Sequence, residues 1–178
     1  MKNICVIGAS SKLGSSLMKH PNVIECPWRF EDKAEELDEW LAQHNEVDTI
    51  WHVARTCRTT GIRRDADTFS LDHGGLLKIL STRAKDCRLV YASSKIVYGL
   101  GGDSDNENEV LSADEVAQYF GDDLIGTVNC PNWQHTIDLD ISKLNNQHTI
   151  YACTKLANEQ AIKKACRNYK IIRIWDIR

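Results

Sequence analysis

Residues 3–14 read NICVIGASSKLG. Residues 3–7 are a short apolar run ending at Gly8, the pattern of a strand buried on both faces. A helix starts near Lys12 and continues through Ser15 to His20. Gly8 suits a tight turn, and Gly14 lets the helix pack close to the strand. A helix beginning there presents free N–H groups to a pyrophosphate, with Ser10, Ser11, Lys12 and Leu13 completing the loop. A generic β–α turn has the same composition, so this stretch alone fixes a fold signal and leaves function open.

The same alternation continues outward. Residues 22–26 form a second short strand, and residues 33–44 carry Ala34, Leu37, Trp40 and Leu41 at helical spacing. Residues 48–53 (DTIWHV) are a third strand. Residues 65–84 read as a helix despite the Gly74–Gly75 pair, and residues 88–92 as a fourth strand. A helix over Tyr151–Arg167 and a strand over 170–175 complete five strands. Strands alternating with helices predict an α/β fold with a doubly wound, mainly parallel sheet. The interval 100–150 breaks the rhythm. It opens on the acidic tract GGDSDNENE, then predicts a short helix in which Ser112 is the N-cap and Glu115 closes a capping box. About fifty residues is too long for a plain connection, so this interval is expected as an insertion that is either a functional flap, a candidate lid, or partly disordered.

Bulk properties narrow the classes. A chain of 178 residues suits a single domain over 1–178. The net charge of −3 gives no basic footprint for nucleic acid. No apolar run reaches membrane length, and MKNICVIGAS turns polar too early for a signal peptide. Cys5, Cys26, Cys57, Cys87, Cys130, Cys153 and Cys166 lie far apart with no C-x-x-C pair, which predicts a reduced, cytoplasmic protein without a metal site. Asp103, Asp105, Glu107 and Asp114 loosely imitate a calcium loop, but Asn108 replaces its glycine and its last position lacks a glutamate, so a solvated loop is expected. His52 reads as a core or near-cofactor residue rather than a base. Trp133 and His135 fall in the insertion, with no spacing that requires contact with a ligand.

Two later segments carry chemistry. Residues 91–99 read YASSKIVYG, and residues 151–155 read YACTK. A free tyrosine titrates near pH 10 and is a poor base at neutral pH. A lysine four residues later shares its helix face, and the positive charge favours the phenolate. A serine hydroxyl at a strand end can hydrogen-bond a reacting oxygen. Tyr and Lys at this spacing are common on helices, so YACTK alone is weak; Ser94 at a fitting strand end strengthens it.

Taken in order, IGASSKLG, DTIWHVA, LVYASSKIVYG, YACTK and IIRIWDIR resemble the motifs of the extended short-chain dehydrogenase/reductases, the NAD(P)-dependent nucleotide-sugar epimerase/dehydratase family. The resemblance covers nearly the whole chain apart from residues 100–150. It implies a Rossmann-like fold, with Ser94, Tyr151 and Lys155 as the catalytic set. It implies a cofactor, NAD or NADP, held by Gly8, Ser10, Ser11, Lys12, Leu13, Gly14, Val53 and Ala54. Arg29, just beyond the second strand, favours NADP because a guanidinium suits a 2′-phosphate. It further implies a sugar-nucleotide substrate and a homodimer through the outer face of the Tyr151 helix. Several positions depart from the family pattern. Ser11 replaces the middle glycine, Arg55 follows His-x-Ala, and Asp72 stands where an asparagine is usual. Lys95 and Ile96 replace the Asp-Glu pair of sugar dehydratases, which leaves epimerase or ketoreductase chemistry. The family continues past the strand ending near Ile174 into a substrate lobe, whereas this sequence ends at Arg178. The alternative expectation is a shortened, non-catalytic NAD(P)-binding sensor or partner subunit.

Overall fold

The apolar runs at Ile4–Ile7 and Thr49–His52 are buried along their whole length, as strands sandwiched between two helical layers must be. The computed structural model describes residues 3–54, 66–99, 110–132 and 146–178. Its elements are β1 (Ile4–Ile7), α1 (Lys12–Leu17), β2 (Val23–Cys26), α2 (Ala34–Gln43), β3 (Thr49–His52), α3 (Ala66–Ser81), β4 (Arg88–Ser94), β5 (Val110–Leu111), α4 (Ala113–Gly121), β6 (Gly126–Cys130), α5 (Asn146–Ala165), β7 (Tyr169–Ile174) and β8 (Asp176–Ile177). A six-stranded sheet runs in the order β2-β1-β3-β4-β7-β6 with every pairing parallel. β5 and β8 form a separate parallel pair. This is the doubly wound, Rossmann-like sheet that the alternation predicts.

Two apolar clusters sandwich the sheet. Cys5, Ile7, Ile50, Leu89, Tyr91 and Ile171 face one way, against Leu37 and Leu41 of α2, Leu76 and Ile79 of α3 and Ile162 of α5. Val6, Trp51, Val90, Ile172 and Ile174 face the other, against Leu13 and Leu17 of α1 and Val116, Ala117 and Phe120 of α4. From β1 the chain winds outward to β2, then returns to β3 and continues in the opposite direction. The crevice at the carboxyl ends of β1 and β3 is therefore the topological switch point.

The described part of the interval 100–150 is residues 110–132, which form β5, α4 and β6, and residues 146–150, which open α5; residues 100–109 and 133–145, with Trp133 and His135, lie outside the described residues. β6 takes the sheet edge beyond β7, and α4 covers the α1 face. The helix starts as predicted: the Ser112 hydroxyl accepts from Glu115 N at 3.3 Å, and the Glu115 carboxylate accepts from Ser112 N at 2.7 Å. Its far end is pinned by two cations. Arg88 donates to the Asp122 and Leu124 carbonyls at 2.9 and 2.8 Å, and the buried Lys170 ammonium pairs with Asp122 at 2.7 Å and with the Tyr119 carbonyl. α3 and α5 lie on one face of the sheet, yet β3-α3-β4 and β6-α5-β7 run along it in opposite directions. The two crossovers therefore have opposite hands, an uncommon arrangement.

Two further features bear on the site, the first a difference from the sequence reading and the second in line with it. α5 begins at Asn146, so Tyr151 lies inside the helix rather than at its start. α3 runs unbroken through Gly74 and Gly75. At Gly75 a Cβ would fall 2.2 Å from Phe30 Cδ1, so the missing side chain is what lets the Phe30 ring seat on the helix; at Gly74 a Cβ would meet no atom of the described residues within 4 Å beyond the helix's own backbone. Among the described residues no helix is long and apolar enough to cross a membrane, and no group of three or more metal-ligating side chains occurs.

Candidate active site

The first turn is built by close backbone approach. Gly8 has φ +100°, and a Cβ there would lie 2.6 Å from Ala54 N. Val53 N and Ala54 N both donate to the Ile7 carbonyl at 3.0 Å, which draws the ends of β1 and β3 together. A Cβ on Gly14 would meet the Gly8 carbonyl oxygen at 2.2 Å. Only glycine fits at both positions, and the close turn they allow is of the kind that can cradle a phosphate group. Ser11 is the N-cap of α1: its hydroxyl accepts from Gly14 N at 2.9 Å, and its own N–H donates to the Gly8 carbonyl at 3.0 Å. The hydroxyl thus engages one of the helix donors that face a bound anion in such turns. Ser10 and Lys12 are exposed, while the Leu13 side chain is buried in the core, leaving only its backbone for a ligand.

Arg29 is exposed in the turn after β2. Its N–H donates to the Asp32 carboxylate at 2.7 Å, and Lys78 of α3 holds the Phe30 and Asp32 carbonyls at 2.6 and 2.8 Å. The turn is fixed from beneath while the guanidinium side faces outward.

Ser94 closes β4 and caps the short 3₁₀ turn Lys95–Tyr98, its hydroxyl accepting from Ile96 N at 3.3 Å. Lys155 reaches the same strand from α5. Its buried ammonium donates to the Ala92 carbonyl at 2.8 Å and to the Tyr91 hydroxyl at 3.1 Å. It lies 4.7 Å from the Tyr91 ring centroid and 5.7 Å from that of Tyr151. Burial is the largest influence on Lys155 and disfavours its charge, but Tyr91, Tyr151 and Asp72 together outweigh it and hold the ammonium above the usual lysine range. Burial pushes the Tyr91 phenol up, against the opposing pull of Lys155 and Asn158, so Tyr91 stays protonated. Tyr151 is the half-buried member of the pair. The fold therefore brings Lys155 and Tyr151 together beside the strand whose end carries Ser94.

Of the surrounding residues, His73, Asn158, Glu159 and Arg173 were not singled out by sequence. Asn158 Nδ2 donates to the Tyr91 hydroxyl at 2.8 Å, and His73 Nδ1 donates to Asn158 Oδ1 at 2.7 Å. Glu159 accepts from the Ser93 hydroxyl at 2.7 Å and from Arg173 at 3.0 and 2.7 Å. Arg173 also donates to the Tyr98 hydroxyl at 2.7 Å, and Tyr98 donates to Asn129 of β6 at 2.9 Å. One signal was available: Lys155, Asn158 and Glu159 continue the stripe begun at Tyr151 by further steps of three and four. His52 packs its ring against Phe30 and Tyr91, and its Nδ1 has no hydrogen-bond partner among the described residues. Burial, followed by the Lys155 charge, pushes its imidazole down to about 3. Lys95 is turned away into an ion pair with Asp176 and lies 4.6 Å from the Trp175 ring centroid.

No family model and no curated protein matches the sequence. Solved structures do match over its length. A dTDP-4-dehydrorhamnose reductase from Yersinia enterocolitica is 18% identical with a TM-score of 0.58, covering 98% of this chain and 53% of that one. A dTDP-glucose 4,6-dehydratase from Bacillus anthracis, solved in complex with NAD, is 14% identical with a TM-score of 0.57, covering 97% and 54%. A GDP-mannoheptose C4 reductase from Campylobacter jejuni, solved with NADP bound, is 10% identical with a TM-score of 0.57, covering 96% and 47%. At these identities the likeness is one of fold, and the chain spans about half the length of the structures it matches.

Proposed function

We propose that the chain is an NAD(P)-dependent oxidoreductase or epimerase of the extended short-chain dehydrogenase/reductase type, acting on a hydroxyl or keto group of a sugar nucleotide. The observation that carries this reading is the buried Lys155 ammonium, anchored to β4 and set beneath Tyr151 at the sheet end that bears Ser94. The residues of the Gly8–Gly14 turn, with Val53 and Ala54, hold the dinucleotide. The bound nicotinamide supplies the hydride acceptor or donor. Tyr151 takes the proton from a substrate hydroxyl in oxidation and returns it in reduction. Lys155 stabilises the tyrosinate that accepts the proton in oxidation and that is left after proton donation in reduction, and Ser94 donates a hydrogen bond to the reacting oxygen. Lys95, engaged by Asp176, takes no part in proton transfer, so epimerase or ketoreductase chemistry is favoured over water elimination. Arg29 favours NADP. The reading carries with it a homodimer through the outer face of α5 and a cytoplasmic setting.

A second reading, a non-catalytic NAD(P)-binding sensor or partner subunit, is favoured by one observation: the Ser11 hydroxyl occupies the Gly14 N–H. One pair of measurements separates them. Fluorescence titration with NADH and NADPH is expected to show binding; no binding of either at millimolar concentration removes both readings. A panel of UDP-, GDP- and dTDP-sugars is then expected to give turnover that Tyr151→Phe lowers by about 10²–10⁴-fold. Tight cofactor binding without turnover across the panel favours the sensor, and turnover indifferent to Tyr151→Phe refutes the mechanism.

A further inference from the structure

Lys155 stands between two tyrosines, and only one of them is placed to meet a substrate. Tyr91 is buried against His52 and Ile171, whereas Tyr151 is half-buried. An ammonium has three protons to place. Two are committed downward to β4, at the Ala92 carbonyl and the Tyr91 hydroxyl. The height of the charge beneath Tyr151 is thus set by where the Tyr91 oxygen sits.

That oxygen is itself held. It accepts from Asn158 Nδ2 at 2.8 Å. The amide of Asn158 is held from its other side as well, where its Oδ1 meets His73 Nδ1 at 2.7 Å. The His73 ring in turn lies 5.3 Å from Phe69 on the same helix. A chain of hydrogen bonds therefore runs from α3, through α5, to β4, and ends on the ammonium. The groups that face Lys155 are Asp72 from α3, His52 from β3, Tyr91 from β4 and Tyr151 from its own helix.

We infer that Tyr91, fixed by Asn158 and His73, is a positioning residue that holds the Lys155 charge at its working distance from Tyr151. The inference rests on the reading of Tyr151 as the proton-transferring group. Tyr91 touches neither substrate nor cofactor in this scheme; it acts through Lys155. Loss of its hydroxyl leaves the ammonium with one anchor on β4 and frees it to move away from Tyr151.

The test is steady-state kinetics of the full chain, at saturating cofactor, on the sugar nucleotide that the panel yields. The variants are Tyr151→Phe, Lys155→Met, Tyr91→Phe and Asn158→Leu, each checked by circular dichroism. Tyr91→Phe and Asn158→Leu are expected to lower kcat about tenfold while KM stays within about twofold, and Lys155→Met to lower kcat further. A purely structural role for Tyr91 lowers the melting temperature and leaves the kcat of the folded fraction unchanged. If Lys155→Met lowers kcat and neither other variant does, the inference is overturned while the reading of the site stands. If no sugar nucleotide turns over, or Lys155→Met leaves kcat unchanged, the reading of the site falls, and the inference with it. Should Tyr91→Phe fail to fold, Asn158→Leu decides.

Discussion

Glu159 gives the most direct test of how the site is held. Its side chain is 2% exposed and accepts three hydrogen bonds, from the Ser93 hydroxyl and from Nε and Nη2 of Arg173. The Arg173 side chain is 17% exposed, so both charges lie largely out of water. Glu159→Ala removes every one of these acceptors and leaves the guanidinium with the Tyr98 hydroxyl at 2.7 Å among its described partners. Breaking a buried pair from one side costs about 3–5 kcal/mol, and the residual exposure of Arg173 places this one near 3. Replacing both partners, as in Glu159→Met with Arg173→Met, leaves no stranded charge. It is expected to cost less than the sum of the single changes by about 2 kcal/mol or more. Urea unfolding followed by tryptophan fluorescence reads the result. With a slope of about 2 kcal/mol/M, the single change lowers the midpoint by roughly 1.5 M. A Glu159→Ala loss below about 1 kcal/mol, or strict additivity in the double variant, would refute the claim that this pair fastens α5 to the sheet.

The adjacent glycines of α3 are expected to respond in opposite directions. Gly74→Ala enters open space and gains about 0.5–1 kcal/mol from helix propensity, whereas Gly75→Ala drives a methyl into the Phe30 ring and loses about 1–2 kcal/mol net; thermal melts of the two variants check the sign. Acid stability should report His52, whose imidazole is pushed down to about 3 by burial. Between pH 6.5 and about 3 the unfolded chain binds a proton that the folded chain refuses, so stability falls as pH falls, by up to about 1.4 kcal/mol per unit. His52→Phe is expected to flatten that limb in urea titrations at pH 7, 6, 5 and 4, and an unchanged slope refutes the assignment. Thiol reactivity should follow burial. Cys130 is pushed up to about 12 and Cys166 to about 11, chiefly by burial, while Cys153 is exposed on α5. Maleimide labelling of the folded protein at pH 7 is expected to modify Cys153 faster than either by about a hundredfold, as mass spectrometry of the digested chain shows.

The parallel core was legible because each of its strands is a run of apolar residues with a turn at its end. Ile4–Ile7 and Thr49–His52 declared themselves in this way, as did Ser112 with Glu115 at the start of α4. β6 did not. Its sequence, Gly-Thr-Val-Asn-Cys, alternates weakly, because a partly exposed edge strand needs few apolar side chains. Its place in the sheet is decided by partners distant in sequence, Arg88 and Lys170, which hold the turn before it. The start of α5 was hidden for another reason: residues 146–150, NQHTI, carry neither a capping pattern nor an apolar stripe. Tyr151, Lys155 and Ser94 were readable as motif residues. Tyr91, Asn158 and His73 were not, since a buried hydrogen-bond chain depends on three elements meeting and leaves no period along the sequence.

These two buried networks divide the work of placing α5. Ser93, Glu159 and Arg173 fix the helix against β4 and β7, and Tyr98 and Asn129 extend that hold to β6. His73, Asn158 and Tyr91 fix it against α3 and β4 at the neighbouring helix position. β6 therefore does more than complete the sheet: through Asn129 it supports the Tyr98 hydroxyl that steadies Arg173, and through Arg173 the helix that carries Lys155. A chain lacking residues 110–132 loses the covering of the α1 face and this support together. Residues 110–132 of the segment that the sequence marks as an interruption are thus joined, through Asn129, Tyr98 and Arg173, to the helix that carries Lys155.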